Sequence, residues 1–205
     1  ENGGFIKTCN AGADIAKGKY LCFLNNDTEV MAGWLDQLVR TFSVFPGTGL
    51  VGSKLVYPDG TLQEAGAIIW RDGSAWNFGR GQDPSLPVYN YAREVDYCSG
   101  ASIMVPAGLF QQLGGFDLEY CPAYCEDSDL ALKIRSMGFR VLYQPGSVVV
   151  HYEGKTSGTD TGSGVKAYQI DNAKKLFARW KDQLSSHQES GVDVDAAKDR
   201  GFRRR

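Results

Sequence analysis

The stretch Lys19-Tyr20-Leu21-Cys22-Phe23-Leu24-Asn25-Asn26-Asp27-Thr28 passes abruptly from an apolar run to a polar cluster. An apolar run this short suits a buried strand, and the polar residues mark its carboxyl end. Beyond it, Met31, Trp34, Leu35, Leu38, Val39, Phe42 and Phe45 recur at helical spacing, and Pro46-Gly47 stops that helix. A strand feeding directly into a helix is the repeating unit of α/β sheets. In such sheets ligands sit outside the carboxyl ends of the strands. Asp27 lies at one such end.

Working outward, Phe5, Cys9, Ala13 and Ala16 are spaced as one helix face, with Gly18 as the stop. A domain seldom begins in mid-helix, so the first strands are expected to lie before Glu1. Downstream, Leu50 to Tyr57 reads as a strand, Pro58-Asp59-Gly60 as a turn and Gln63 to Trp70 as a further strand. Arg71 to Ala92 lacks a period, which predicts a long functional loop. Val95 to Val105 resumes strand character. A short helix follows from Pro106 to Leu113, closed by Gly114-Gly115. Asp127 to Met137 reads as a helix with Leu130, Ile134 and Met137 inward. Phe139 to Tyr143 and Ser147 to Val150 are β-type runs. The last helix is expected over Val165 to Leu184, with Ala173, Leu176, Phe177, Trp180 and Leu184 on one face. Asp193 to Arg205 is charged and aperiodic, and reads as a disordered tail or a contact to a membrane surface. The expected division is a core at 1–158, a helical extension at 159–192 and the tail at 193–205.

The chain has 205 residues, 42% of them hydrophobic and 12% aromatic, enough to bury one sizeable core. A net charge of −2 argues against a nucleic-acid binder, which needs a basic surface. Five cysteines, an odd number set in apolar segments, suggest reduced thiols in a cytoplasmic protein. No apolar run approaches the ~18–20 residues needed to span a bilayer, and no leader peptide is expected.

Three clusters carry candidate chemistry. In Asn25-Asn26-Asp27-Thr28, one carboxylate beside amide side chains suits Mg2+, which takes one or two carboxylates and completes its shell with phosphate and water. Asp27 or Thr28 capping the following helix is the plainer reading. In Glu126-Asp127-Ser128-Asp129, acids open a helix, where the dipole favours them. Their crowding also raises a pKa, as a general base requires. His151 ends an apolar strand before Gly154, Ser157 and Gly158, and suits a metal or phosphate contact. The spacings of zinc ribbons, calcium loops and phosphate-binding loops are absent.

Read together, Asn10-x-Gly12, the stretch through Asn25-Asn26-Asp27, Ser99-Gly100-Ala101, Glu126-Asp127 and His151 resemble the inverting glycosyltransferases of family 2, closest to bacterial rhamnosyltransferase-like members. The resemblance implies a GT-A fold: a Rossmann-like mixed α/β sheet flanked by helices. It also implies transfer of a sugar from a nucleotide-diphosphate donor to a glycan or lipid-linked acceptor, at the inner face of the membrane. Asp27 matches the last position of the family's D-x-D motif, with Asn25 in place of the first Asp, and is implied to bind Mg2+ or Mn2+ with help from His151. Asp127 is the implied base. Asn25, Asn26, Gly100 and Glu126 are implied substrate contacts. Trp76 is added from the aromatic loop, which with Trp70, Phe78, Tyr89 and Tyr91 could line an acceptor groove. Arg135 matches a basic position without a firm role. The family's usual opening strand and nucleotide loop are not seen before Glu1, so this stretch alone is expected to bind a nucleotide poorly. A sugar-nucleotide pyrophosphorylase-like enzyme and a non-catalytic carbohydrate-binding module are the alternatives; the acids argue against the second.

Overall fold

Consecutive residues of a strand point to opposite faces, and three adjacent pairs show how this sheet sorts its two sides. Leu50, Ile103 and Val141 join one core cluster, together with Leu109, Leu130 and Ile134. Their neighbours Val51, Met104 and Leu142 join another, with Leu38 and the flanking Trp34 and Phe42. The sheet is therefore covered on both sides. Each such side chain contributes about 1.5–3 kcal/mol when fully buried.

The computed structural model describes residues 4–153 and 168–199. In chain order these form α1 (Gly4–Ile15), β1 (Tyr20–Leu24), β2 (Thr28–Val30), α2 (Trp34–Val44), β3 (Thr48–Val56), β4 (Leu62–Glu64), β5 (Ala67–Ile69), β6 (Ala75–Asn77), β7 (Arg93–Glu94), β8 (Ser102–Pro106), α3 (Ala107–Gln112), α4 (Glu126–Ser136), β9 (Arg140–His151), α5 (Tyr168–Leu184) and α6 (Val194–Lys198). The main sheet runs β1-β8-β3-β9-β2, with β4 beside β3 and β7 beside β9. Among the described residues only β3 and β9 pair in parallel; the other ladders are antiparallel. This is the expected mixed α/β sheet.

Several boundaries differ from the sequence reading, each for a local reason. Gln63 to Trp70 is not one strand. Gly66, at φ +70°, breaks it, so β4 pairs with β3 while β5 pairs with β6 in a separate two-stranded sheet. Val95 to Val105 is likewise interrupted: the chain leaves the sheet after β7 and rejoins it only at β8. The runs at 139–143 and 147–150 belong to one strand, β9, whose register against β3 shifts between Gln144 and Val148. The 71–92 segment contains β6 and a short turn at Pro87–Tyr89. Met137 and Phe177 are each 40% exposed rather than inward. The tail is not wholly irregular: Asp193 caps α6, whose Ala197 packs with Trp70. Residues 154–167, with Gly154, Ser157, Gly158 and the start of the last helix, lie outside the described residues, as do 200–205. The five cysteines are unpaired, and no described helix is long and apolar enough to cross a membrane.

Candidate functional site

The loop between β7 and β8 passes directly over β3. Any side chain at Gly52 would lie 2.2 Å from the Cys98 Cβ, so glycine there lets the two backbones approach. The loop then presents the Gly100 N–H, which donates to Asp127 Oδ2 (3.0 Å). Asp127 Oδ1 accepts the Ser128 N–H (2.7 Å). Asp127 belongs to the first turn of α4, and the two residues before that helix, Tyr124 and Cys125, have φ of +77° and +70°. Left-handed backbone costs non-glycine residues ~1–2 kcal/mol each, and such strain gathers at functional sites. Asp127 opens onto a cavity of about 1150 Å3, also lined by Trp76, Phe78, Tyr97, Ser99 and Tyr124.

Two more buried carboxyls stand behind Asp127. Glu64 receives the Ser99 N–H (2.9 Å), and burial pushes its pKa up to about 8 against that bond. Glu126 is pushed up to about 8 by burial and by the charge of Asp127. Burial also raises Asp127, opposed by the Gly100 and Ser128 hydrogen bonds. Glu64 Oε2 and Glu126 Oε2 are buried without a hydrogen-bond partner among the described residues. Charge is therefore unwelcome here: Glu64 and Glu126 retain their protons above the ordinary carboxylate range, and Asp127 is shifted in the same direction.

A pH dependence follows. Glu64 binds its proton more tightly in the folded chain, so its contribution is whole below its unfolded pKa and fades as pH rises toward 8. Glu64→Gln mimics the protonated form. Its melting temperature should match the parent near pH 5 and exceed it at pH 8.5, by on the order of 5 °C. A thermal scan across pH reads this, and parallel curves for the two proteins would contradict it.

The second half of the site lies where β1 ends. His151, the last residue of β9, faces Thr28 across the β2 ladder. Gln63 donates through Nε2 to Glu153 Oε2 (3.3 Å), which turns its Oε1 toward His151 Nδ1 (2.8 Å). Nδ1 is then the protonated nitrogen, and the Nε2 lone pair faces Asp27 Oδ1 at 3.4 Å. Asn25 Nδ2 lies 3.5 Å from the same nitrogen. The Asn25 amide N–H can donate to that lone pair, and a cation or a proton between Nε2 and Asp27 Oδ1 would relieve the approach of the two acceptors. Burial lowers the His151 pKa, against the pull of Asp27, so the proton is disfavoured. A divalent cation suits the pair. Among the described residues no group of three His, Cys, Asp or Glu side chains could hold a metal, so phosphate and water would complete the shell, as Mg2+ prefers.

Capping is not what Asp27 and Thr28 do: Asp27 precedes β2, Thr28 opens it, and α2 starts only after Gly33. The Thr28 hydroxyl instead donates to the Asn25 carbonyl (2.6 Å), tightening the turn.

The structure brings the two acids to one end of the sheet. The Asn25 N–H donates to the Ala101 carbonyl (3.0 Å), next to the Gly100 that holds Asp127. The cavity lining includes Asp127 and Trp76 but neither Asp27 nor His151. Asn26 is exposed. Trp70 is fully buried, in edge-to-face contact with Trp76, and is not part of a groove. Arg135 is structural, bonded to the Val95 carbonyl and Asp96. Asp129 points away from Asp127, to Lys133, Arg179 and the Trp180 indole. Glu64, Gln63 and Glu153 escaped the sequence reading, because lone polar residues in or beside a strand give no periodic signal.

Comparison with known proteins supplies the family. The sequence profile "Glycosyl transferase family 2" matches residues 1–104, a span that includes Asp27 and ends before Glu126. The chain is 34% identical over 158 residues to the O-antigen biosynthesis protein RfbC of Myxococcus xanthus, covering 74% of this chain and 12% of that protein. It is 27% identical over 159 residues to N-acetylglucosaminyl-diphospho-decaprenol L-rhamnosyltransferase of Mycobacterium tuberculosis, covering 70% and 50%. The chain thus spans half or less of the length of these relatives. Among solved structures, GalNAc-T7 with UDP, GalNAc and Mn2+ superposes with a TM-score of 0.66 at 18% identity, over 88% of this chain and 36% of that one. Mannosyltransferase PcManGT from Pyrobaculum calidifontis, with GDP-Man and Mn2+, superposes at 0.54 and 20% identity, over 91% and 45%. These superpositions speak for the GT-A fold alone. With the profile covering just over half of its length and the Myxococcus relative covering nearly three quarters, this chain belongs to glycosyl transferase family 2.

Proposed function

We propose that the protein transfers a sugar from a nucleotide-diphosphate donor to an acceptor hydroxyl with inversion, in the synthesis of a cell-surface glycan. The observation that carries this reading is Asp127: its carboxylate faces the cavity while the Gly100 and Ser128 N–H groups hold it from behind. A base must be fixed in place yet open to the substrate, and this one is both.

The acceptor hydroxyl attacks the anomeric carbon from the face opposite the leaving diphosphate. Asp127 takes the hydroxyl proton, and its pKa, raised by burial, suits that task. Asp27 and His151 would hold Mg2+ or Mn2+, which supplies charge neutralisation to the departing diphosphate. Gly100, buried between Phe5 and Asp127, contributes its N–H to holding the carboxylate. Trp76, 45% exposed at the cavity wall, offers an aromatic face to a sugar. The relatives' names, one an O-antigen biosynthesis protein and one an L-rhamnosyltransferase acting on N-acetylglucosaminyl-diphospho-decaprenol, favour a rhamnosyl donor and a glycan or lipid-linked acceptor.

Incubation with a panel of UDP-, GDP- and dTDP-sugars and Mn2+ tests the reading. Release of nucleoside diphosphate, with an inverted anomeric centre by NMR, is the expected result. Pyrophosphate release would indicate nucleotidyl transfer, and no turnover would favour a binding module.

The Gln63–His151 contact makes a further prediction. Gln63→Leu removes the acceptor that sets the imidazole tautomer, so Mn2+-dependent nucleotide binding should weaken by about 10–100-fold, the usual effect of losing such support. A calorimetric titration equal to the parent's would show that Gln63 plays no such part.

A further inference from the structure

The turn before α4 is held from a distant element. Tyr124 and Cys125 are consecutive non-glycine residues in the left-handed region, and Cys125 immediately precedes Glu126-Asp127, so its backbone sets the direction in which Asp127 leaves. Nothing in the residue types favours that conformation; a partner must hold it. That partner is Asn172, in the first turns of α5. Its Nδ2 donates to the carbonyls of Tyr120 (2.8 Å), Ala123 (2.9 Å) and Tyr124 (3.2 Å). Its Oδ1 accepts from Lys175 Nζ (3.0 Å), which also donates to the Glu119 carbonyl (2.9 Å). Asn172 is fully buried. The helix carrying it is pinned further along, where Arg179 and Trp180 meet Asp129 of α4 (3.0 and 2.8 Å). One face of α5 thus carries the polar clamp, while Ile170, Ala173 and Leu176 line the cavity onto which Asp127 opens.

We propose that Asn172 is a positioning residue for Asp127: by tying the carbonyls of the 120–124 segment to α5, it holds the left-handed turn that aims the carboxylate into the cavity. The inference rests on the reading of Asp127 as the base. It assigns α5, which follows the last strand of the sheet, a part in catalysis through a residue that touches no substrate.

The test is a kinetic cycle on the protein with the UDP-, GDP- or dTDP-sugar that it turns over. Asn172→Ala should lower kcat by about 10–100-fold, the scale of a small misplacement of a reacting group. The donor KM should change by less than about threefold, because the metal end of the site is untouched. In an Asp127→Asn background the same change should cost nothing further. Cys125→Gly, which makes the left-handed turn favourable without help, should restore much of the kcat lost in Asn172→Ala; a purely structural role for the amide would show no such specific rescue. If Asn172→Ala does not fold, Asn172→Ser keeps one donor and carries the same measurements. An Asn172 variant with parental kcat, beside an impaired Asp127→Asn, overturns the proposal and leaves the base assignment standing. Parental kcat in Asp127→Asn removes the base assignment and the proposal with it. An equal loss from Asn172→Ala in both backgrounds shows that the amide acts other than through Asp127, and also overturns it.

Discussion

Asp127→Asn is expected to turn over its sugar donor about 10²–10⁴-fold more slowly than the parent, the usual contribution of a positioned base, while binding the donor equally well. The magnitude can be weighed against the structural cost of the change. Both carboxylate oxygens accept backbone N–H groups, from Gly100 and Ser128. An amide offers one oxygen, so one of those donors loses its partner. A lost buried hydrogen bond costs roughly 1–3 kcal/mol of stability, whereas the expected rate loss corresponds to about 3–5 kcal/mol in the barrier. The two separate cleanly, because melting reports the first and single-turnover kinetics the second. A variant that melts lower but turns over at the parental rate would remove Asp127 from the chemistry.

The second large effect falls on binding. Asp27→Ala removes the one carboxylate that, among the described residues, lies within ion-pair distance of His151 and leaves the imidazole as a lone ligand. Support residues around metal ligands are worth about 10–100-fold in affinity, and a ligating carboxylate should be worth at least that. Calorimetric titration with a nucleoside diphosphate should show Mn2+-enhanced binding in the parent and none in the variant. Equal Mn2+ enhancement in both proteins would place the cation elsewhere.

Much of this arrangement is legible in the sequence because it follows from period and punctuation. The apolar run ending at Leu24, the helix after Trp34 and the acids opening α4 appear as read, although Met31, Leu35 and Val39 are exposed rather than on the buried face with Leu38. What escaped reading was decided by tertiary contacts. Gly66 divides an apolar stretch between two sheets, and its φ is invisible in composition. The register shift in β9 joins two runs into one strand because β3 supplies a continuous partner. The sequence expects one aromatic groove, yet Trp70 lies buried against Trp76 and Tyr91 does not line the cavity. Glu64 became visible only when folding set it beside Ser99 and close enough to sense the charge of Asp127.

Asp27 follows the end of β1 and Asp127 opens α4, and the two are linked through the Asn25–Ala101 hydrogen bond and the Gly100 N–H so that they serve a single reaction. Anomalous diffraction at the manganese edge, from crystals grown with Mn2+ and a nucleoside diphosphate, tests this most directly. The predicted result is one peak between Asp27 and His151, with the diphosphate extending from it toward the cavity of Asp127. A peak among Glu64, Glu126 and Asp127, or a nucleotide on the far side of the sheet, would contradict it.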